Sequence, residues 1–139
     1  MTATHFLDTN VLLYSISDDP RDSVKRGVAV GLVERPSNAL SVQVLQEFYV
    51  QATRATRPNP LPHNIAAGFL RTWRKRLPVQ DMTVSIFDET LDIKAAHRLS
   101  YWDAAIVAAA RALGCFELYS EDMQHGRKIV GVTITNPFR

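Results

Sequence analysis

The chain has 139 residues, 46% of them apolar, and its 16 basic and 14 acidic side chains leave a net charge of +2. The apolar share excludes a disordered chain, and the near-neutral balance excludes a global basic field for nucleic acid, so any steering must come from local patches. The length predicts a single domain, residues 1–139, able to bury roughly 70% of its unfolded surface.

In chain order, Thr4-His5-Phe6-Leu7 reads as a first strand, and Asn10 to Ile16 as a helix with Val11, Leu12 and Ile16 inward. Asp18-Asp19-Pro20 breaks it. A second helix is expected from about Arg21 to Glu34, stopping before Pro36. Asn38 to Ser41 is a strand candidate, followed by a helix from about Val42 to Arg54. The run Arg57-Pro58-Asn59-Pro60-Leu61-Pro62 is too stiff for a helix or a central strand and reads as a loop within the domain. His63 to Arg76 reads as the fourth helix and Asp81 to Val84 as a strand. Ser85-x-x-Asp88 and Ser100-x-x-Asp103 resemble capping boxes, each opening a helix. The first of these helices is expected to end near Leu99. The second, Tyr101 to Leu113, stops at Gly114, and its run Ala104 to Ala110 is small and apolar nearly all round, as in a helix buried on a sheet. Phe116 to Tyr119 and Val132 to Thr135 are the last strands.

Short strands alternating with helices predict an α/β sandwich of three layers, α/β/α, with a short, mostly parallel central sheet. No apolar stretch reaches the roughly 20 residues that span a bilayer. The start MTATHFLD lacks the basic and apolar regions of a signal peptide. The one cysteine, Cys115, allows no internal disulfide and fits a reducing cytoplasm.

Four carboxylates stand beside apolar runs: Asp8 in FLDTN, Glu47 in VLQEFY, Asp103 in SYWDAAI and Asp122 in YSEDMQ. In a parallel sheet, ligands bind beyond the carboxyl ends of the strands. Asp8 and Asp122 follow strands there, and Asp103 opens a helix. Four converging acids are hard to keep charged without a cation, and all-oxygen donors favour Mg²⁺ or Mn²⁺. Each acid also has a purely structural role open to it. Asp8 could cap the helix at Asn10, Asp103 could complete its capping box, Glu47 could be a solvated helix residue, and Asp122 a turn acid. The conjunction favours a shared site. Asn10 and Ser120 are candidates to hydrogen-bond the acids or bound waters. Ser41 reads as a helix cap and Glu121 as solvent-facing.

Arg71 to Arg76, with Arg54 and Arg57, form a basic cluster around Trp73. This could be a phosphate-contacting face with Trp73 as a stacking surface, or a charged helix face with Trp73 in the core. The histidines at 5, 63, 97 and 125 show no zinc spacing, and the six glycines are too scattered for a phosphate loop.

At these acids the sequence resembles the PIN-domain ribonucleases, and among them the VapC-type toxins of toxin–antitoxin pairs. FLDTNVLLY, LSVQVLQEFY, SYWDAAIVAAA and LYSEDMQHG match the family's motifs in order, with Asp8, Glu47, Asp103 and Asp122 as the acids and Ser120 in the place of a hydroxyl residue. The ending VTITNPF resembles one subgroup. The fourth acid varies most within the family. The resemblance implies a Mg²⁺- or Mn²⁺-dependent endoribonuclease in which these four acids ligate metal and carry catalysis. It also implies an RNA substrate, a homodimer and a cognate antitoxin. Three other readings stand beside it. One is a phosphatase with Asp8 as nucleophile, although Asp8-Thr9-Asn10 lacks the usual second Asp. Another is a metal-free ribonuclease using histidines. The third is an RNA- or protein-binding module with an inactive site.

Overall fold

Residues 3–139 are described in a computed structural model. In chain order the elements are β1 (His5–Leu7), α1 (Thr9–Ser15), a 3₁₀ turn (Pro20–Asp22), α2 (Ser23–Val33), β2 (Asn38–Ser41), α3 (Val42–Thr53), α4 (His63–Arg76), β3 (Val79–Gln80), α5 (Val84–His97), α6 (Tyr101–Ala112), β4 (Glu117–Tyr119), β5 (Lys128–Ile129) and β6 (Val132–Thr135).

The strands form one sheet in the order β3-β2-β1-β4-β6-β5. Every pair is parallel except β5 with β6. Helices flank this sheet, as the alternating pattern predicts. Phe6, Leu7, Leu40, Leu118 and Ile134 are fully buried, as expected where helices cover a parallel sheet. Ala104 to Ala110 of α6 are all buried, and their small side chains let the helix lie against β2, β3, β4 and β6 while α5 packs on it. On α4, Trp73 is buried and meets Phe48 of α3 edge-on at 4.9 Å. Its reading as a stacking face for phosphate-bound bases is therefore wrong, and the core reading holds.

Two expectations are corrected. The third strand is Val79–Gln80, not Asp81–Val84. Thr83 and Val84 have strand propensity, but Thr83 caps α5, its Oγ1 accepting from Ile86 N at 3.1 Å. Ser85 is thus inside the helix rather than its cap. This register turns Ile86, Thr90 and Ile93 into the core. The same helix ends at His97, where Arg98 takes a left-handed conformation, φ 54°. The short β5 carries a single buried apolar residue, Ile129, too little pattern to be read in advance. No helix among the described residues is long and apolar enough to cross a membrane.

Candidate active site

β1 has β2 on one side and β4 on the other, so the chain leaves it in opposite directions, and a crevice opens beyond the strands' carboxyl ends. Asp8 is the first residue past β1. Its amide donates to Tyr119 O at 3.0 Å, so pairing with β4 continues to the acid itself. Asp8 Oδ1 accepts from Thr9 N at 2.7 Å and caps α1. Asp8 Oδ2 accepts from Ser120 Oγ, also at 2.7 Å.

Beyond β4 the chain turns through Ser120, Glu121 and Asp122. Ser120 Oγ accepts from Asp122 N at 3.2 Å. Asn10 Nδ2 donates to Asp122 Oδ2 at 3.1 Å, and Asn10 Oδ1 accepts from Glu121 N at 3.3 Å. The loops after β1 and β4 are thereby laced together. Glu121 is not solvent-facing as expected: it accepts from Tyr14 Oη at 2.6 Å and pairs with Lys25 Nζ at 2.5 Å.

Ser41 ends β2 and caps α3, accepting from Val44 N. On α3, Gln43 and Glu47 stand four residues apart on one face. Gln43 Nε2 donates to Glu47 Oε1 at 3.0 Å and to Trp102 O at 3.2 Å, tying α3 to the first turn of α6. Asp103 lies in that turn, its amide donating to Ser100 Oγ at 3.1 Å. Asp8 and Asp103 thus sit at helix starts, where the dipole favours a negative charge, and both also face the crevice.

Asp8, Glu47, Asp103, Asp122 and Asn10 line one cavity of about 330 Å³. Ser120 is fully buried behind Asp8. Arg57 reaches the cavity wall, whereas Arg54, Arg71, Arg74 and the four histidines do not. Sequence reasoning missed Gln43 and Trp102. The i, i+4 spacing of Gln43 and Glu47 was a readable signal, but nothing before the fold marked Trp102 as a wall residue.

Burial pushes the Asp8 carboxyl up to about 6, against the pull of its two hydrogen bonds, with the charges of Asp122 and Glu47 adding to the rise. Burial also raises Glu47, followed by repulsion from Asp103 and Asp122. It raises Asp103, with Asp122 again repelling. The acids therefore feel one another across the cavity, as a site built for a cation would. Two buried oxygens on the wall, Thr9 Oγ1 and Gln43 Oε1, have no hydrogen-bond partner. Carboxylate, amide and hydroxyl oxygens are hard donors that fit Mg²⁺ or Mn²⁺ better than a softer metal. Among the described residues, no group of three His, Cys, Asp or Glu side chains is placed to hold an ion by itself.

The model of the PIN domain family matches residues 5–128. The chain belongs to the PIN-domain family. No curated protein matches it. Solved structures with the same fold include a toxin–antitoxin complex from Klebsiella pneumoniae, 20% identical, with a TM-score of 0.68 over 96% of this chain and 98% of that one. A DNA-bound VapBC from Salmonella typhimurium is 18% identical, with a TM-score of 0.67 over 98% of this chain and 99% of that one. VapC20 from Mycobacterium tuberculosis, a toxin that cleaves the sarcin–ricin loop, is 22% identical, with a TM-score of 0.65 over 86% of this chain and 90% of that one. The PIN sheet explains why Asp8, Glu47, Asp103 and Asp122, dispersed along the chain, share one cavity.

Proposed function

We propose that this PIN domain is a metal-dependent endoribonuclease and the toxin of a toxin–antitoxin pair. The carrying observation is that four acids from four separate elements line one cavity at the carboxyl end of the sheet. The solved toxins and toxin–antitoxin complexes that share the fold support the biological role.

Asp8, Glu47, Asp103 and Asp122 would hold a divalent cation, Mg²⁺ or Mn²⁺, in part through retained water, as Mg²⁺ usually binds. The ion would neutralise developing charge and make water acidic enough to attack at neutral pH. Ser120 and the Thr9 amide hold both oxygens of Asp8, which fixes the carboxylate at the cavity wall where it would meet the ion. Gln43 holds Oε1 of Glu47. The other carboxylate oxygen would be left to orient the attacking water and take its proton. Water attack forms a new P–O bond and breaks the bond to the 3′ oxygen, leaving a 5′-phosphate and a 3′-hydroxyl. Arg57 on the wall is placed to take a phosphate.

The same acidity explains the proposed partner. An antitoxin arginine entering the cavity would pair bidentately with a carboxylate and compete with the ion. We further propose a homodimer acting in the cytoplasm. Incubation of purified protein with RNA, with Mg²⁺, with Mn²⁺ and with EDTA, tests the assignment. Cleavage that needs the ion and leaves 5′-phosphate ends is expected. Cleavage surviving EDTA, or none with either ion, overturns it.

A further inference from the structure

We propose that Trp102 is the nucleobase platform of the site, the surface on which a base beside the scissile phosphate stacks. This rests on the ribonuclease reading above and names the part of the substrate that the acids cannot hold. Trp102 is 62% exposed although it directly precedes Asp103 and lines the acidic cavity. An indole left in water is ordinary when scattered singly; this one stands on the wall of the cavity that all four acids line.

Its position is fixed from two sides. Gln43 Nε2 donates to the Trp102 carbonyl at 3.2 Å and to Glu47 at 3.0 Å, so one side chain sets the spacing between the platform's backbone and an acid. The Tyr101 ring meets the indole at 4.9 Å and 89°, an edge contact that braces the ring. An acidic cleft repels an RNA backbone, so a sequence-tolerant, uncharged contact is what such a site needs. Every base offers a π face, and single-stranded RNA is held by stacking on aromatic side chains.

The experiment uses the chain's two tryptophans, since Trp73 is buried and Trp102 is not. Wild-type protein is titrated with a short single-stranded RNA in Ca²⁺, followed by indole fluorescence, and cleavage kinetics are then measured in Mg²⁺. Quenching is expected from the RNA and much less from an oligomer abasic beside the cleavage site. W102A should raise KM roughly 5- to 150-fold with kcat changed far less, W102F should recover much of the loss, and W102L little. Wild-type cleavage with W102A and W102L kinetics unchanged overturns the platform and leaves the nuclease reading standing. A wild type that neither binds nor cleaves RNA overturns both. Loss of self-association in W102A by sedimentation, with RNA quenching absent in the wild type, overturns the platform by making Trp102 a contact between copies of the chain.

Discussion

Ser120 Oγ donates to Asp8 Oδ2 at 2.7 Å, joining two residues 112 apart in sequence in the buried floor of the cavity. The bond favours the charged form of Asp8, opposing the burial that raises its pKa. S120A should therefore push the Asp8 pKa higher still. At neutral pH the loss of a charge-assisted hydrogen bond should cost about 1.5–3 kcal/mol of stability, and the cost should shrink toward pH 5 as Asp8 takes a proton. The acid limb of the cleavage profile should move to higher pH. Urea melts and pH–rate profiles check both, and an unshifted acid limb would show that Asp8 is not the group being read.

D8N and D103N should each lower RNA cleavage by roughly 100-fold or more, because the amide keeps the shape but loses the charge needed for a metal's several-kcal/mol effect. E47Q should be similarly damaging. D122N should be milder: Asp122 is exposed, and one of its oxygens is already held by Asn10. Circular dichroism must show each variant folded. Near wild-type turnover by folded D8N or D103N would rule out the four-acid site.

The acids were legible because each stands beside an apolar run, and Asp8, Asp103 and Asp122 do so where an element starts or ends, which is where a chain meets a cleft. Asp8 and Asp103 also show why purely structural readings do not compete with functional ones. Asp8 does cap α1, and Asp103 does sit in a capped first turn, yet both face the cavity. A helix start favours a carboxylate for its dipole, and the same carboxylate can still face a cleft. What stayed hidden depends on contacts between distant segments. Gln43 matters because of where Trp102 O falls, and Glu121 looked solvated because Lys25 and Tyr14 lie on other helices. The strand at Val79–Gln80 has two residues and half-buried side chains, and is ordered chiefly by pairing with β2.

The metal-free protein should lose stability as pH rises from about 4 to about 6. A carboxyl whose folded pKa lies above its ordinary value binds its proton more tightly when folded. Its contribution is complete below the ordinary pKa and gone once pH passes the folded one. For Asp8, moved from 3.8 to about 6, that swing is about 3 kcal/mol, and Glu47 and Asp103 act in the same direction. Asp19 and Glu121, lowered from 3.8 and 4.5, oppose the trend only at the acid end of this range and below it. Saturating Mg²⁺, held by the ionised acids as proposed, should stabilise more at pH 7 than at pH 5. D8N should flatten the apo slope. Melting temperatures across this range, with and without Mg²⁺, decide it. An apo protein more stable at pH 7 than at pH 5 would contradict the burial assigned to Asp8.

Lys25 on α2 reaches across to Glu121 at 2.5 Å and to Tyr14 Oη at 3.2 Å, with its ammonium 4.9 Å from the centre of the Tyr14 ring. Glu121 sits between Ser120 and Asp122, so this latch pins the loop that carries the fourth acid. The Lys25 side chain is 40% exposed and that of Glu121 25%, so solvent screens the pair. K25M should then cost no more than about 1 kcal/mol in stability. Its larger effect should fall on the loop. Freed of Lys25, Glu121 keeps only Tyr14 as a side-chain donor, and the Ser120–Asp122 turn gains freedom. Backbone amides of residues 120–122 should exchange faster with solvent, and Mg²⁺ affinity should fall several-fold, whereas exchange in β1 and α6 should not change. E121Q should loosen the turn in the same way. Unchanged exchange at Asp122 in both variants would show that the ring through Asn10, Ser120 and Asp8 suffices to hold the fourth acid.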